Sequence, residues 1–284
     1  MLKKSIYHYT NVESLALILK TRKLRFTRLD GVDDVREAQA HAGIDFGKFF
    51  FVSCWTQKAE ESIPQWHMYS QEMQGVRLEL PEFPFPREPL RPKPDWNNYQ
   101  ILGDGILSPI PFELLCGPNY MIVPMFVNPD YFAGPVDYVE DVFEVYTRSI
   151  KRKVEPGGHV DLKIDALHLL PRQKSNDWKL QDEYRFSLFV IPLISDSDAA
   201  PGTERHFLAA TQNVSNSFIN NISPDITHLD IPLSPGAFQD LVVRTGPLAT
   251  PGAKTCVKAL VDQFAPNARI EESALTGAVR HRGH

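Results

Sequence analysis

Apolar and polar positions along the chain follow two periods, and the first eighty residues show both. Residues 5–10 (Ser-Ile-Tyr-His-Tyr-Thr) are aromatic and β-branched and predict a strand. Val12, Leu15, Ile18 and Leu19 follow at helical spacing. Asn11 is a good N-cap and Glu13 favours the first turn, so 12–20 predicts a helix. Lys23-Leu24-Arg25-Phe26-Thr27 alternates charge with apolar surface, as a half-exposed strand does. Residues 33–42 predict a helix with acids at its start. Residues 49–55 are continuously apolar and predict a central strand. Ser62-Ile63-Pro64 opens another helix, with Pro64 in the tolerated first turn. That helix would carry Trp66, Tyr69 and Met73 on one face and turn His67 away. Gly75 ends it, and residues 76–80 alternate as a strand.

Proline is dense over 81–94, which excludes a helix interior or a central strand there. The stretch reads as a surface loop opening a variable middle section, about 81–118. Beyond it, 119–127 predicts a strand, 136–152 fits either helix or strand, and 160–170 predicts a helix. A strong strand covers 184–194, and a polar loop follows at 195–204. Strands at 228–233, 241–245 and 268–272 alternate with a short helix after Pro235 and a helix at 253–264. The Gly-, Arg- and His-containing end, 276–284, predicts a frayed tail, leaving one domain over 1–275. Strands recur without strict βαβ alternation, so the expected class is α+β with a largely antiparallel or mixed sheet.

Composition removes function classes more readily than it assigns one. The chain has 284 residues, 43% apolar and 23% charged, with a formal net charge of −5. That balance gives no global nucleic-acid footprint. No apolar run reaches the roughly 20 residues of a membrane helix. Met1-Leu2-Lys3-Lys4 leads into a polar strand and not an apolar signal core, and the three cysteines are widely spaced. The expected compartment is therefore the cytoplasm, with no membrane contact. Cys54 reads as a small core residue more readily than as a nucleophile. The histidines form no His-Glu-x-x-His or His-x-His pattern, so no metal site is expected. No Gly-x-Gly-x-x-Gly and no P-loop is present.

Three places carry candidate chemistry. His8 and Thr10 share one face of the opening strand and offer two polar groups to one ligand. His8 alone reads equally as a hydrogen-bonded structural residue. Gln181 and Glu183 share a face at the start of the late strand, where acids are depleted. Arg185, two residues on, is placed to pair with an acid; the plainer reading is a salt-bridged strand edge. Trp66 and Tyr69 lie at helical spacing, as a core stripe does, or as a face on which a flat ring stacks. Lys20, Arg22, Lys23, Arg25 and Arg28 form a basic cluster, read either as a solvated strand edge or as a contact for phosphates; Asp30, Asp33 and Asp34 offset it.

Several of these motifs, in order, resemble an uncharacterised bacterial domain family. They are Ile6-Tyr7-His8-Tyr9-Thr10, Lys23–Thr27, Asp33–Glu37, Phe51–Trp55, Trp66–Tyr69, Gly75–Leu78, Lys174, Trp178 and Glu183–Arg185. More distantly, that family is similar to the His-Tyr-Glu ADP-ribosyltransferases, which include diphtheria-toxin-like and DarT-type enzymes. The resemblance implies a bent, split, mostly antiparallel α+β sheet with flanking helices and NAD, as substrate, in the cleft. It implies catalytic roles for Glu183 and Gln181. It implies NAD anchoring by His8 and nicotinamide stacking by Tyr69; Thr10 beside His8, Trp66 as an alternative clamp and Arg25 for the phosphates complete the expected NAD contacts. The expected function is transfer of ADP-ribose to a macromolecular acceptor, protein or nucleic acid, by a toxin or phage-defence effector with a cognate antitoxin or partner protein. Alternatives are an NAD glycohydrolase and a non-catalytic nucleotide- or partner-binding module. The Asp33-Asp34 pair departs from the more usual Asn-Asp.

Overall fold

The computed structural model describes residues 4–92, 95–97, 106–193, 199–200, 203–212 and 214–280. Among them, ten strands form one sheet. They are β1 (Ser5–Thr10), β2 (Lys23–Arg28), β3 (Phe50–Thr56), β4 (Val76–Pro81), β5 (Tyr120–Val123), β6 (Ala133–Pro135), β7 (Glu183–Pro192), β8 (His228–Pro232), β9 (Val242–Thr245) and β10 (Arg269–Glu272). Within this sheet all pairings are antiparallel except β9 with β10, and the class is α+β.

The sheet divides at β3. One edge of β3 pairs with β7 along its whole length, Phe50 opposite Phe189 through Thr56 opposite Glu183. On the other edge β2 reaches only Phe51 and Val52, and β1 only Thr56. Two arms leave from there: β2 and β8 on one side, then β1, β4, β9 and β10 on the other. Between the arms, residues 53–55 of β3 have no strand partner on that edge. A buried backbone group must find a partner, and this gap is where side chains enter.

Helix α1 (Val12–Thr21) links the two arms. Asn11 Oδ1 accepts from Ser14 N at 2.7 Å, and Arg22 closes the helix with φ 57° and its N–H on Ile18 O. Its face of Leu15, Ile18 and Leu19 is buried, each contributing about 1.5–3 kcal/mol. Helix α2 (Ile63–Tyr69) starts at Ser62, whose hydroxyl accepts from Gln65 N. It stops earlier than its apolar spacing predicts. Gln71, Glu72 and Met73 take φ of 50°, 54° and 71°, so Met73 is not on the helix at all. This left-handed turn costs about 1–2 kcal/mol per residue and swings the chain into β4. Gly75 is required there: a Cβ would lie 2.3 Å from the Thr10 carbonyl oxygen.

The core lies beside the sheet, where Phe26, Phe85, Phe132 and Phe186 meet with ring centroids 4.9–6.3 Å apart. The remaining longer helices are α3 (Val142–Ser149), α4 (Glu204–Gln212), α5 (Val214–Ile219) and α6 (Pro251–Phe264).

Two expected helices are absent. Residues 33–42 form turns, because their acids serve tertiary contacts: Asp33 accepts from Tyr69, and Glu37 is buried in an ion cluster. Residues 160–170 form the strand Val160–Ile164, paired with Ile150–Val154, and then a 3₁₀ turn containing Pro171. The period-2 pattern Val-Asp-Leu-Lys-Ile prevails there over helix propensity. The ambiguous 136–152 stretch divides into strand Asp137–Val139, α3 and strand Ile150–Val154. The expected tail is a turn at 274–279, and residues 281–284 lie outside the described residues, as do much of the 195–204 loop and parts of 81–118.

Candidate functional site

The gap in the sheet brings the two ends of the chain's chemistry together. His8 lies on β1 at the split, half-buried, with its ring 4.9 Å from that of Trp55. Its Nδ1 lies 2.9 Å from the carbonyl oxygen of Cys54, one of the β3 residues that the split leaves without a strand partner on that side. A carbonyl only accepts, so Nδ1 carries the proton and donates. Burial lowers the His8 pKa, outweighing the raising effect of that hydrogen bond. The imidazole is thus neutral at pH 7 in one tautomer, with Nε2 left as an acceptor facing the cleft.

Glu183 opens β7 directly opposite Thr56 and lines the same cleft as His8. Its Oε2 lies 3.1 Å from Lys174 Nζ, and its Oε1 lies 2.6 Å from Arg185 Nε. Glu37 completes a buried quartet, at 2.5 Å from Arg185 Nη1 and 3.1 Å from Lys174 Nζ. Burial alone raises the Glu183 carboxyl pKa, but Arg185 and Lys174 overcome it and bring it down to about 2. Two carboxylates and two cations sum to zero, as a buried cluster requires.

Tyr69, at the end of α2, joins these to the second acid segment. Its hydroxyl donates to Asp33 Oδ2 at 2.7 Å and accepts from Gln181 Nε2. Burial and the Asp33 carboxylate push its ionisation well above the ordinary tyrosine range, so it remains a phenol. The amide of Gln65, also on α2, donates to the Gln181 carbonyl at 2.5 Å. Gln181 ends a 3₁₀ turn, and Asp182 follows with φ 44°, which aims Glu183 into the cleft.

Three contiguous spaces share His8 as a wall. The first, about 410 Å³, is lined by His8, Gln65, Tyr69, Gln181 and Glu183, among others. The second, about 650 Å³, adds Arg25, Asp33 and Lys174. A third, about 620 Å³, runs along α1 past Thr10, Ser14 and Arg25.

Six of the seven expected site residues line these spaces: His8 all three, Tyr69 and Glu183 the first and second, Gln181 the first, Arg25 the second and third, and Thr10 the third. Arg25 arrives already engaged, with Nε and Nη2 on Asp230 at 2.9 and 3.1 Å. Trp66 is the exception. Fully buried, it packs edge-on against Tyr9 at 4.9 Å and donates its indole N–H to Glu61 at 2.8 Å. With no exposed face it has nowhere to clamp a ligand ring, and it serves as core. Cys54 lines the cleft, yet burial and the Glu183 carboxylate push its thiol pKa far up, so it is no thiolate. Sequence reasoning missed Gln65 and Glu37. Gln65 carries no mark beside Trp66, and the helix expected over 33–42 gives no sign of a tertiary partner for Glu37.

Among the described residues, no group of three or more His, Cys, Asp or Glu side chains is placed to hold a metal ion, and no helix is long and apolar enough to cross a membrane. The chain matches no family model, no curated protein and no solved structure.

Proposed function

We propose that the protein is an ADP-ribosyltransferase that cleaves the nicotinamide–ribose bond of NAD and passes ADP-ribose to a macromolecular acceptor in the cytoplasm. The observation that carries this reading is the convergence of His8, from the first strand, with Tyr69 and Glu183 on one cavity at the sheet split.

As the bond breaks, nicotinamide leaves with the bonding electrons and positive charge grows on the ribose. The Glu183 carboxylate, ionised at any pH at which the protein works, accepts a hydrogen bond from a ribose hydroxyl and stabilises that charge. One such preorganised group is worth about 3–4 kcal/mol. Lys174 and Arg185, in contact with the two carboxylates, cancel the quartet's long-range field, so Glu183 acts through direct contact. A carboxyl held near 2 is also a poor proton acceptor. The acceptor nucleophile therefore loses its proton to another group after it attacks the sugar. His8 Nε2 accepts a hydrogen bond from the dinucleotide and anchors it.

The saturated state of Glu183 also favours a second reading, a module that binds the nucleotide without turning it over. Labelled NAD with cell lysate separates the two. Glu183→Gln is the better variant, since it keeps a hydrogen-bond acceptor of the same size beside Arg185 and Lys174 where Glu183→Ala would leave a void; both changes leave two buried cations facing one carboxylate. Label transfer or nicotinamide release by the wild type, lost in folded Glu183→Gln, supports the enzyme. NAD binding by both proteins with no release by either supports the module.

A further inference from the structure

Two buried amide oxygens, on side chains that line the cleft, have no partner. Gln65 and Gln181 are 6% and 4% exposed, both line the 410 Å³ cavity, and the Oε1 atom of each is buried without a hydrogen bond. An oxygen and a nitrogen of an amide are easily interchanged in placement, but here the surroundings fix both. Tyr69 has one hydroxyl proton, and Asp33, a carboxylate, takes it. The group of Gln181 that meets the Tyr69 oxygen must therefore be the N–H. Gln65 faces the backbone carbonyl of Gln181, which only accepts, so Gln65 also presents its N–H there. In both residues the donor is engaged by protein and the acceptor is left over. Leaving one such acceptor buried and unpaired is unfavourable in a native structure, and two on one cavity point to a ligand.

The rest of the lining narrows the ligand. Tyr9, Trp55 and Tyr69 contribute aromatic wall, Glu183 is the one carboxylate, and this lining holds no lysine or arginine. His8 Nε2 is a further acceptor. Tyr7 and Thr56 add hydroxyls, but acceptors and ring faces dominate, and such a lining takes a flat group that carries N–H donors and positive charge. A pyridinium ring with a primary carboxamide has both.

We infer that the Gln65 and Gln181 carbonyls form a carboxamide-reading subsite that selects a ring-borne NH₂ group. The identity of the ring rests on the ADP-ribosyl-transfer reading; the subsite's demand for N–H donors does not.

The test is a titration of the full chain with NAD and with its 3-acetylpyridine analogue, in which a methyl group replaces the amide NH₂. The wild type should bind NAD at least about tenfold more tightly. Gln65→Met and Gln181→Met should each weaken NAD about tenfold and leave the analogue within about threefold. Equal binding of the two dinucleotides by the wild type overturns the inference. So does an equal loss of both in the variants, which would mark the glutamines as structural only. If a variant fails to fold, the wild-type comparison decides alone. NAD discrimination without nicotinamide release sinks the catalytic reading and leaves the subsite standing. If neither dinucleotide binds, 1-methylnicotinamide decides: saturable binding weakened by Gln65→Met supports the subsite, and no binding overturns it.

Discussion

The Glu183 carboxylate ties stability to pH in a way that one substitution isolates. Its pKa falls from an ordinary value of 4.5 to about 2 in the fold. At about 1.4 kcal/mol per pH unit, that difference is worth about 3 kcal/mol of folding free energy. The sign follows from linkage. A carboxyl whose pKa is depressed on folding contributes its full stabilisation above its unfolded value and loses it as pH falls through the folded value. The window is therefore pH 4.5 down to 2. Glu183→Gln keeps an acceptor beside Arg185 and Lys174 but carries no charge at any pH. It should be about 2–4 kcal/mol less stable than the wild type at pH 7. The gap should narrow steadily below pH 4.5, because a protonated Glu183 resembles the glutamine. Urea unfolding at pH 7, 5, 4 and 3, followed by tryptophan fluorescence, measures the difference directly. Carboxylates outside the quartet titrate in both proteins and cancel. A stability gap that stays constant from pH 7 to 3 would refute the argument that Glu183 is held ionised by its two buried cations.

The quartet makes a companion prediction: Lys174→Met, which leaves two carboxylates against Arg185 alone, should cost about 3–5 kcal/mol in urea unfolding, and adding Glu37→Gln should recover part of it. His8→Phe should retain the fold and weaken NAD binding at least about tenfold, read by calorimetric titration, because ring packing on Trp55 survives while the Nε2 acceptor is lost. Since burial lowers the His8 pKa from 6.5, wild-type NAD affinity should be flat from pH 7 to 8 and decline only below about 6.5. Trp66→Phe should lower stability by about 1–2 kcal/mol through the lost Glu61 hydrogen bond, with NAD affinity unchanged. Gly75→Ala should destabilise by several kcal/mol in thermal unfolding, given a Cβ 2.3 Å from the Thr10 oxygen.

Local patterning made β1, α1, β2, β3 and β7 legible, because in each the apolar period agrees with the burial the tertiary fold imposes. The helix at 251–264 was legible for the same reason. Residues 33–42 were misread because acids near a helix start look alike whether they face water or a buried arginine. Only the partner 148 residues away, Arg185, distinguishes the two cases for Glu37. Trp66 shows the matching limit. Its spacing with Tyr69 is genuine, but one turn of helix separates a cleft position from a core position, and periodicity does not say which side of α2 the sheet covers. The Gln65–Gln181–Tyr69–Asp33 chain of hydrogen bonds joins three distant segments and leaves no local signature in any of them.

The split itself explains why chemistry collects at this place. A continuous sheet would satisfy Ser53, Cys54 and Trp55 of β3 with a neighbouring strand on both edges. Divergence of β1 from β2 removes that neighbour over three residues, and the Cys54 carbonyl must then be met by a side chain. Histidine meets it with one nitrogen and retains an acceptor on the other, which an asparagine or serine of the same reach would not aim across the gap. The same divergence opens the β3 edge beside Glu183, on the strand that still pairs there. Imidazole and carboxylate thus follow from one topological event, and closing the gap would remove both. The chemistry at the split does not depend on a mobile loop to bring it together: β1, β3 and β7 hold it on paired strands, which is the rigid support that a preorganised electrostatic site requires.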